Sequence, residues 1–305
     1  MNTIIFFGST TDSVVVLDKL YPQKNIAISA VVTQPPKPVG RDRAITPTPV
    51  ETWAKIHDVA VLTFPSDPGK PWLYANESQV IDTLQPIGAD LIVSASYGIK
   101  IPAATIGAAK YGGINIHPSI LPRWRGADPV PWAILSGDHQ SGVTIVSLSE
   151  TFDDGKILAQ EKIPITPTDT SDPLRTRLFS IGADLLTHML PEYFRGNIKG
   201  ESPKIPADKP PYARKFTRDD GFEPWDVVMA AISLGSEADR IERKFRALDP
   251  WPGLWTTLPS PSNKRLKIIS LHVDNGKISI GDVQLEGKNP VRWAQFRSAY
   301  LPAES

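Results

Sequence analysis

Short apolar runs rich in β-branched residues recur along the first half of the chain, each followed by a turn or a helical stretch. They are TIIFFG (Thr3 to Gly8), IAISAVVT (Ile26 to Thr33), DLIVSAS (Asp90 to Ser96), GGINIH (Gly112 to His117) and SGVTIVSLS (Ser141 to Ser149). Strands separated by helices read as βαβ units of a parallel sheet, so the expected fold is α/β, with a doubly wound, Rossmann-like sheet domain. Ligands of such sheets bind beyond the carboxyl ends of the strands, where Gly8, Tyr97 and Asn115 fall. The first turn, GST, lacks the full glycine fingerprint, which argues against a dinucleotide site.

The chain has 305 residues, enough for two domains that each bury a core. A long helix is expected within Thr166 to Gly196 and closes a first domain over 1–196. Residues 197–211 read as a polar, Pro-rich linker. The remainder, 212–305, reads as a small C-terminal β-barrel, OB-like, led by a helix within Trp225 to Gly253 whose inner face carries Ile241, Phe245 and Leu248. Its strand candidates are LWTTL, RLKIISLHV, KISIGD and DVQLEG.

Thirty-three basic residues balance 33 acidic ones, so a polyanionic partner has to be met by local patches rather than by a global field. With no Cys there are no disulfides, thiolate zinc sites or cysteine nucleophiles, and a reducing compartment, the cytoplasm, is expected. The start, MNTIIFFGST, shows no leader pattern, and no apolar run has membrane-spanning length.

The chemistry concentrates around GGINIHPSILPRWRG (Gly112 to Gly126). Asn115 and His117 alternate with Ile114 and Ile116, so both polar side chains share one face of a strand end. An imidazole exchanges protons near neutral pH, and an amide beside it can donate to a forming oxyanion, which suits acyl transfer. Asp153 and Asp154, in SETFDDGKI, follow the next strand and reach the same sheet edge. Spacing alone leaves another reading open, in which Asn115 caps a turn, His117 fills a polar pocket and Asp153 opens a loop. His57, His139, His188 and His272 are isolated, so no metal site is expected. Without a GxSxG elbow, Ser119 reads as a ligand-positioning group rather than a nucleophile. The Pro-rich, basic loop QPPKPVGRDRAITPTP (Gln34 to Pro49) is either a solvated connection or a grip on an anion through Lys37, Arg41 and Arg43.

NIHPSILPRWRGADPVPWAI (Asn115 to Ile134), with SYGIKIP (Ser96 to Pro102) before it and DDGKIL (Asp153 to Leu158) after it, resembles the signature of the folate-dependent formyltransferases. The resemblance implies that Asn115, His117 and Asp153 form the catalytic trio and that 10-formyltetrahydrofolate is the formyl donor. It places Tyr97, Gly98, Ile99, Ser119, Leu121, Pro122, Asp154 and Gly155 around the folate. Within the family, TQPPKPVGRDRAITPTPV, PRWRGADPVPWAI and YARKFTRDDGFEPWD with IERKFRALDPWPG are similar to the branch whose acceptor is methionyl initiator tRNA. That similarity implies tRNA contact through Lys37, Arg41 and Arg43, by way of phosphate. The alternative is a sugar-amine N-formyltransferase acting on a nucleotide sugar. Asp128, where the family usually has Ala, and Thr10 and Thr11, in place of its Pro-acid pair, depart from the pattern. Arg123 and Arg125 either meet the acceptor end or brace their loop. A monomer is expected, with no membrane partner.

Overall fold

The structure, a computed structural model, describes residues 1–40, 42–204 and 211–301. They cluster into two compact units, one drawn from residues 1–129, 140–163 and 175–213, the other from 130–139, 164–174 and 214–305.

The first unit is built on a seven-stranded sheet: β1 (Asn2–Phe7), β2 (Ile26–Thr33), β3 (Ala60–Thr63), β4 (Leu91–Ala95), β5 (Gly113–His117), β6 (Gln140–Ser147) and β7 (Ile157–Pro164). Their order across the sheet is β7-β6-β5-β4-β1-β2-β3. The pairs β1–β2, β1–β4, β4–β5 and β2–β3 are parallel, and β5–β6 is antiparallel. The central strands are continuous apolar runs because parallel sheets are covered on both faces; Ile4 through Phe7 and Leu91 through Ala95 are all buried. The expected α/β sheet is therefore present. The edge strands β3 and β7 are half exposed, and pattern reading passes over them because β3 has only four residues and the apolar start of β7 gives way to Gln160, Glu161 and Lys162.

Helix α1 (Thr11–Leu20) starts at a capping box formed by Thr10 and Ser13. The Ser13 hydroxyl donates to Ala95 O at 2.7 Å, tying this helix start to the carboxyl end of β4. A core cluster that includes Ile5, Phe7, Val32, Phe64, Val80, Ile92 and Tyr97 packs on the sheet. The stretch after β2, expected as a loop, contains a two-stranded ribbon pairing Lys37–Val39 with Ala44–Thr46. Pro38 fits there because a two-stranded ribbon has a free edge for a residue without an N–H. The expected long helix spans Ser171–Phe194, with Pro191 inside it.

The second unit is strand-rich and antiparallel. Strands β8 (Trp255–Thr257), β9 (Arg265–Ile268), β12 (Asp282–Leu285) and β13 (Val291–Arg292) form one sheet in that order, and β10 (Leu271–Asp274) pairs with β11 (Lys277–Ile280). The run RLKIISLHV, expected as one strand, divides between β9 and β10 at Ile269 and Ser270, where the Ser270 hydroxyl accepts from Asp282 N at 2.9 Å. The helical stretch expected after Trp225 is two helices, Trp225–Ser233 and Ala238–Leu248, because Glu237 between them takes a left-handed conformation with φ +59°. A short final helix, Trp293–Tyr300, contributes Phe296 to a core with Val228, Ile241, Leu254, Leu266 and Val283. Among the described residues, no helix is long and apolar enough to cross a membrane.

Candidate active site

The strand period puts Asn115 and His117 on one face at the carboxyl end of β5, with Ile114 and Ile116 buried on the other. Asp153 follows β6 in a turn where its backbone is left-handed, φ +55°, a conformation Asp tolerates better than most residues. Gly155 fixes where that turn sits. A Cβ there would lie 1.8 Å from Ser147 O, so only glycine lets the turn close onto the end of β6.

The three groups meet at one oxygen. Asn115 Nδ2 donates to Asp153 Oδ1 at 3.3 Å, and His117 Nδ1 faces the same Oδ1 at 3.4 Å. The second carboxylate oxygen, Oδ2, accepts the Gly126 N–H at 3.0 Å. His117 Nε2 lies 2.9 Å from Trp124 O, which selects an imidazole bearing its proton on Nε2 or on both nitrogens. Trp124 is itself left-handed, φ +61°, a strained state for a bulky residue, and it is the conformation that supplies this carbonyl. His117 and the Asp153 side chain are nearly buried, so their mutual contact is little screened by water. An amide donor, an imidazole and a carboxylate converging at a strand end can stabilise a developing oxyanion and move a proton.

The loop between β5 and this cluster is held from below. Thr144 Oγ1 donates to Ser119 O at 2.7 Å and accepts from Leu121 N at 3.2 Å and from Gln160 Nε2 at 2.9 Å. Ser119 is buried, and its hydroxyl donates to Arg123 O at 2.8 Å, so it shapes the loop. Leu121 is buried and Pro122 partly exposed. Arg125 Nη1 pairs with the exposed Asp154 at 2.7 Å, and its Nη2 donates to Phe152 O at 2.9 Å, joining the two loops. Arg123 lies over the Trp124 ring, 4.4 Å from its centroid.

Tyr97 and Ile99 are buried in the sheet's core cluster, whereas Gly98 between them is exposed. Burial pushes the Tyr97 phenol up to about 12, and it bonds the Tyr74 hydroxyl at 2.8 Å, so it is no proton acceptor at neutral pH. What this stretch offers a ligand is its backbone. Lys37 and Arg43 are exposed on the ribbon. Lys37 Nζ donates to Gln34 Oε1 at 2.7 Å, and Gln34 Nε2 donates to Tyr97 O at 2.8 Å, a chain linking ribbon to sheet rim. Arg41 lies outside the described residues. Among the described residues, no group of three or more His, Cys, Asp or Glu is placed to hold a metal ion.

Sequence reasoning missed the backbone groups of Trp124 and Gly126, which leave no side-chain signature. It also assigned no chemistry to Tyr212, whose residue pairs with Arg125 in a short parallel bridge.

Residues 1–190 match the family model described as Formyl transferase, and residues 228–289 match Formyl transferase, C-terminal domain. A methionyl-tRNA formyltransferase of Ehrlichia chaffeensis is 36% identical over 327 aligned residues, spanning 99% of this chain and 98% of that one. One of Gluconobacter oxydans is 37% identical over 258 residues, spanning 84% of this chain and 76% of that one. Among solved structures, a 4-N formyltransferase from Francisella tularensis is similar with a TM-score of 0.64 and 14% identity, covering 90% of this chain and 98% of that chain.

Proposed function

This chain belongs to the formyl transferase family, and we propose that it moves a formyl group from 10-formyltetrahydrofolate to the α-amine of methionine carried by initiator tRNA, in the cytoplasm. The observation that carries the chemistry is the convergence of Asn115 and His117 on Asp153 Oδ1. The acceptor rests on the similarity to methionyl-tRNA formyltransferases along nearly the whole chain.

In the reaction the amine nitrogen bonds to the formyl carbon, the bond from that carbon to the donor nitrogen breaks, and an amine proton ends on that nitrogen. Asn115 donates to the formyl oxygen as negative charge grows on it. Asp153 accepts the amine proton and returns it toward the leaving nitrogen, while His117 holds the carboxylate through Nδ1. For His117 to reach the formyl oxygen itself, Nε2 has to leave Trp124 O. The exposed backbone at Gly98 and the turn from Asp153 to Gly155 frame the folate. Lys37, Arg41 and Arg43 meet acceptor-stem phosphate, a contact that weakens as salt rises.

Incubation with 10-formyltetrahydrofolate and charged initiator tRNA, followed by mass spectrometry of the released amino acid, tests the reading, and formylmethionine is expected. Transfer only to a nucleotide-linked amino sugar would instead establish the sugar-amine alternative.

A further inference from the structure

We propose that Tyr212 is the platform on which the terminal adenine of the aminoacyl-tRNA acceptor stacks, setting the methionyl amine over Asp153; this rests on the acceptor proposed above.

Tyr212 is fixed from behind and open in front. The short strand Tyr212–Ala213 pairs in parallel with Arg125–Gly126, and the buried Ala213 accepts Ala127 N at 2.8 Å and Asp128 N at 3.2 Å through its carbonyl. The Tyr212 side chain leans on Gly126. A Cβ built on Gly126 would lie 2.7 Å from the ring's Cζ and 2.9 Å from its Cε1, so the bare glycine lets the hydroxyl end of the ring rest on the backbone. Gly126 has φ +118° and holds Asp153 Oδ2 through its N–H at 3.0 Å. These contacts and ordinary bond lengths keep the ring edge within about 9 Å of the carboxylate. The Tyr212 phenol reports the same proximity: burial and then the Asp153 charge push it up, against a smaller opposing effect of Arg125.

Despite these anchors Tyr212 is 60% exposed, the most of any Phe, Tyr or Trp among the described residues. The openness decides what the ring receives. Selecting an apolar methionine side chain needs an enclosed pocket that strips water from it. A ring with one face in solvent suits a flat base that itself stays partly wet, and every tRNA presents an adenine next to its esterified amino acid. Base–aromatic stacking contributes about 1–3 kcal/mol per base, or about 5- to 150-fold in affinity. A phenol pushed upward stays protonated at neutral pH, so it has no part as a base.

The test uses Tyr212→Leu and Tyr212→Phe with three acceptors: methionyl initiator tRNA, 2′(3′)-O-methionyladenosine, and the methionyl ester of a ribose that carries no base. Tyr212→Leu is expected to raise KM for the first two acceptors about ten-fold, leaving the donor KM and kcat near those of the parent. Tyr212→Phe is expected to restore KM, and the base-free acceptor is expected to serve parent and Leu variant equally. The parent itself should prefer methionyladenosine over the base-free ester by the same factor, a measurement that needs no variant to fold. Equal loss on the base-free acceptor, failure of Tyr212→Phe to rescue, or an unmoved KM in Tyr212→Leu would each overturn the stacking role. A parent that formylates no methionyl-tRNA overturns the proposed acceptor; a parent active on it, with an unmoved Leu variant, overturns the platform alone.

Discussion

Two buried carboxylates, Asp153 in the first unit and Glu223 in the second, have opposite company. The Glu223 side chain, 5% exposed, receives both guanidinium arms of Arg240 at 2.7 and 2.9 Å and the Lys244 ammonium at 2.7 Å. Asp153, 8% exposed, has an amide, a backbone N–H and an imidazole, and among the described residues no Lys or Arg bonds it. A carboxylate saturated by permanent cations is locked into one protonation state and one place. One held by neutral donors and a titratable ring is free to trade a proton. The first arrangement is a clasp, and the second suits the role proposed for Asp153. The same pairing accounts for Arg240 and Lys244 as partners of Glu223.

Breaking the reactive cluster should have the largest effect. Asn115→Ala, His117→Ala and Asp153→Asn are each expected to lower formyl transfer by roughly two to four orders of magnitude, with the fold retained by circular dichroism. Near-parental turnover in any of them removes that residue from the chemistry and narrows the difference between the two carboxylates.

Breaking the clasp should cost stability and spare chemistry. Glu223→Gln takes the carboxylate from Lys244 and leaves Arg240 only the exposed Glu237, and is expected to reduce unfolding free energy by about 2–4 kcal/mol in urea titrations, toward the lower end because Arg240 is 39% exposed and partly screened by solvent. Burial works against the charged form of Glu223, but the hydrogen bonds from Arg240 and Lys244 prevail and hold its carboxyl below the ordinary 4.5. A depressed folded-state value means that the clasp contributes fully above about pH 4.5 and is lost as pH falls toward the folded-state value. The parent should therefore shed stability through that acid range more steeply than Glu223→Gln. Parallel acid limbs would show that the clasp contributes nothing.

Asp154 sharpens the comparison at closer range. It is exposed and paired with Arg125, so Asp154→Asn is expected to lower turnover by less than about ten-fold, since an exposed pair contributes little. If Asp154→Asn were the more damaging of the two neighbouring changes, the reactive carboxylate would have been misassigned.

The legibility of the molecule follows from where its signals lie. Apolar, β-branched runs gave away β1, β2, β4 and β6, and alternation gave away β5, but β3 is a run of only four residues and β7 turns polar and charged after Ala159. The side chains of the site were readable because Asn115, His117 and Asp153 stand in motifs, whereas the carbonyl of Trp124 and the N–H of Gly126 belong to every residue alike. Tyr97 and Ile99 look like pocket residues in a motif; in the structure their side chains are core, because a strand-end turn presents only alternate groups outward.

The smallest effect concerns a polar group that, unlike Asp153 and Glu223, has no partner. Thr105, in the short helix Ala103–Ala108, is 6% exposed, and its hydroxyl makes no hydrogen bond. It borders a cavity of about 140 Å³ whose other walls include Ile5, Leu84, Ile92 and Ala109. A buried hydroxyl left unsatisfied costs about 1–3 kcal/mol, and valine keeps the branched shape while removing the oxygen. Thr105→Val is therefore expected to stabilise the chain by up to about 1 kcal/mol, the remainder going to imperfect packing of the new methyl against the cavity. Formyl transfer should not change, since the residue lies far along the chain from Asp153 and bonds none of its partners. Differential scanning calorimetry reads the sign directly. A lowered Tm for Thr105→Val would mean that the hydroxyl is satisfied in solution by water within the cavity, placing Thr105 with the satisfied carboxylates rather than apart from them.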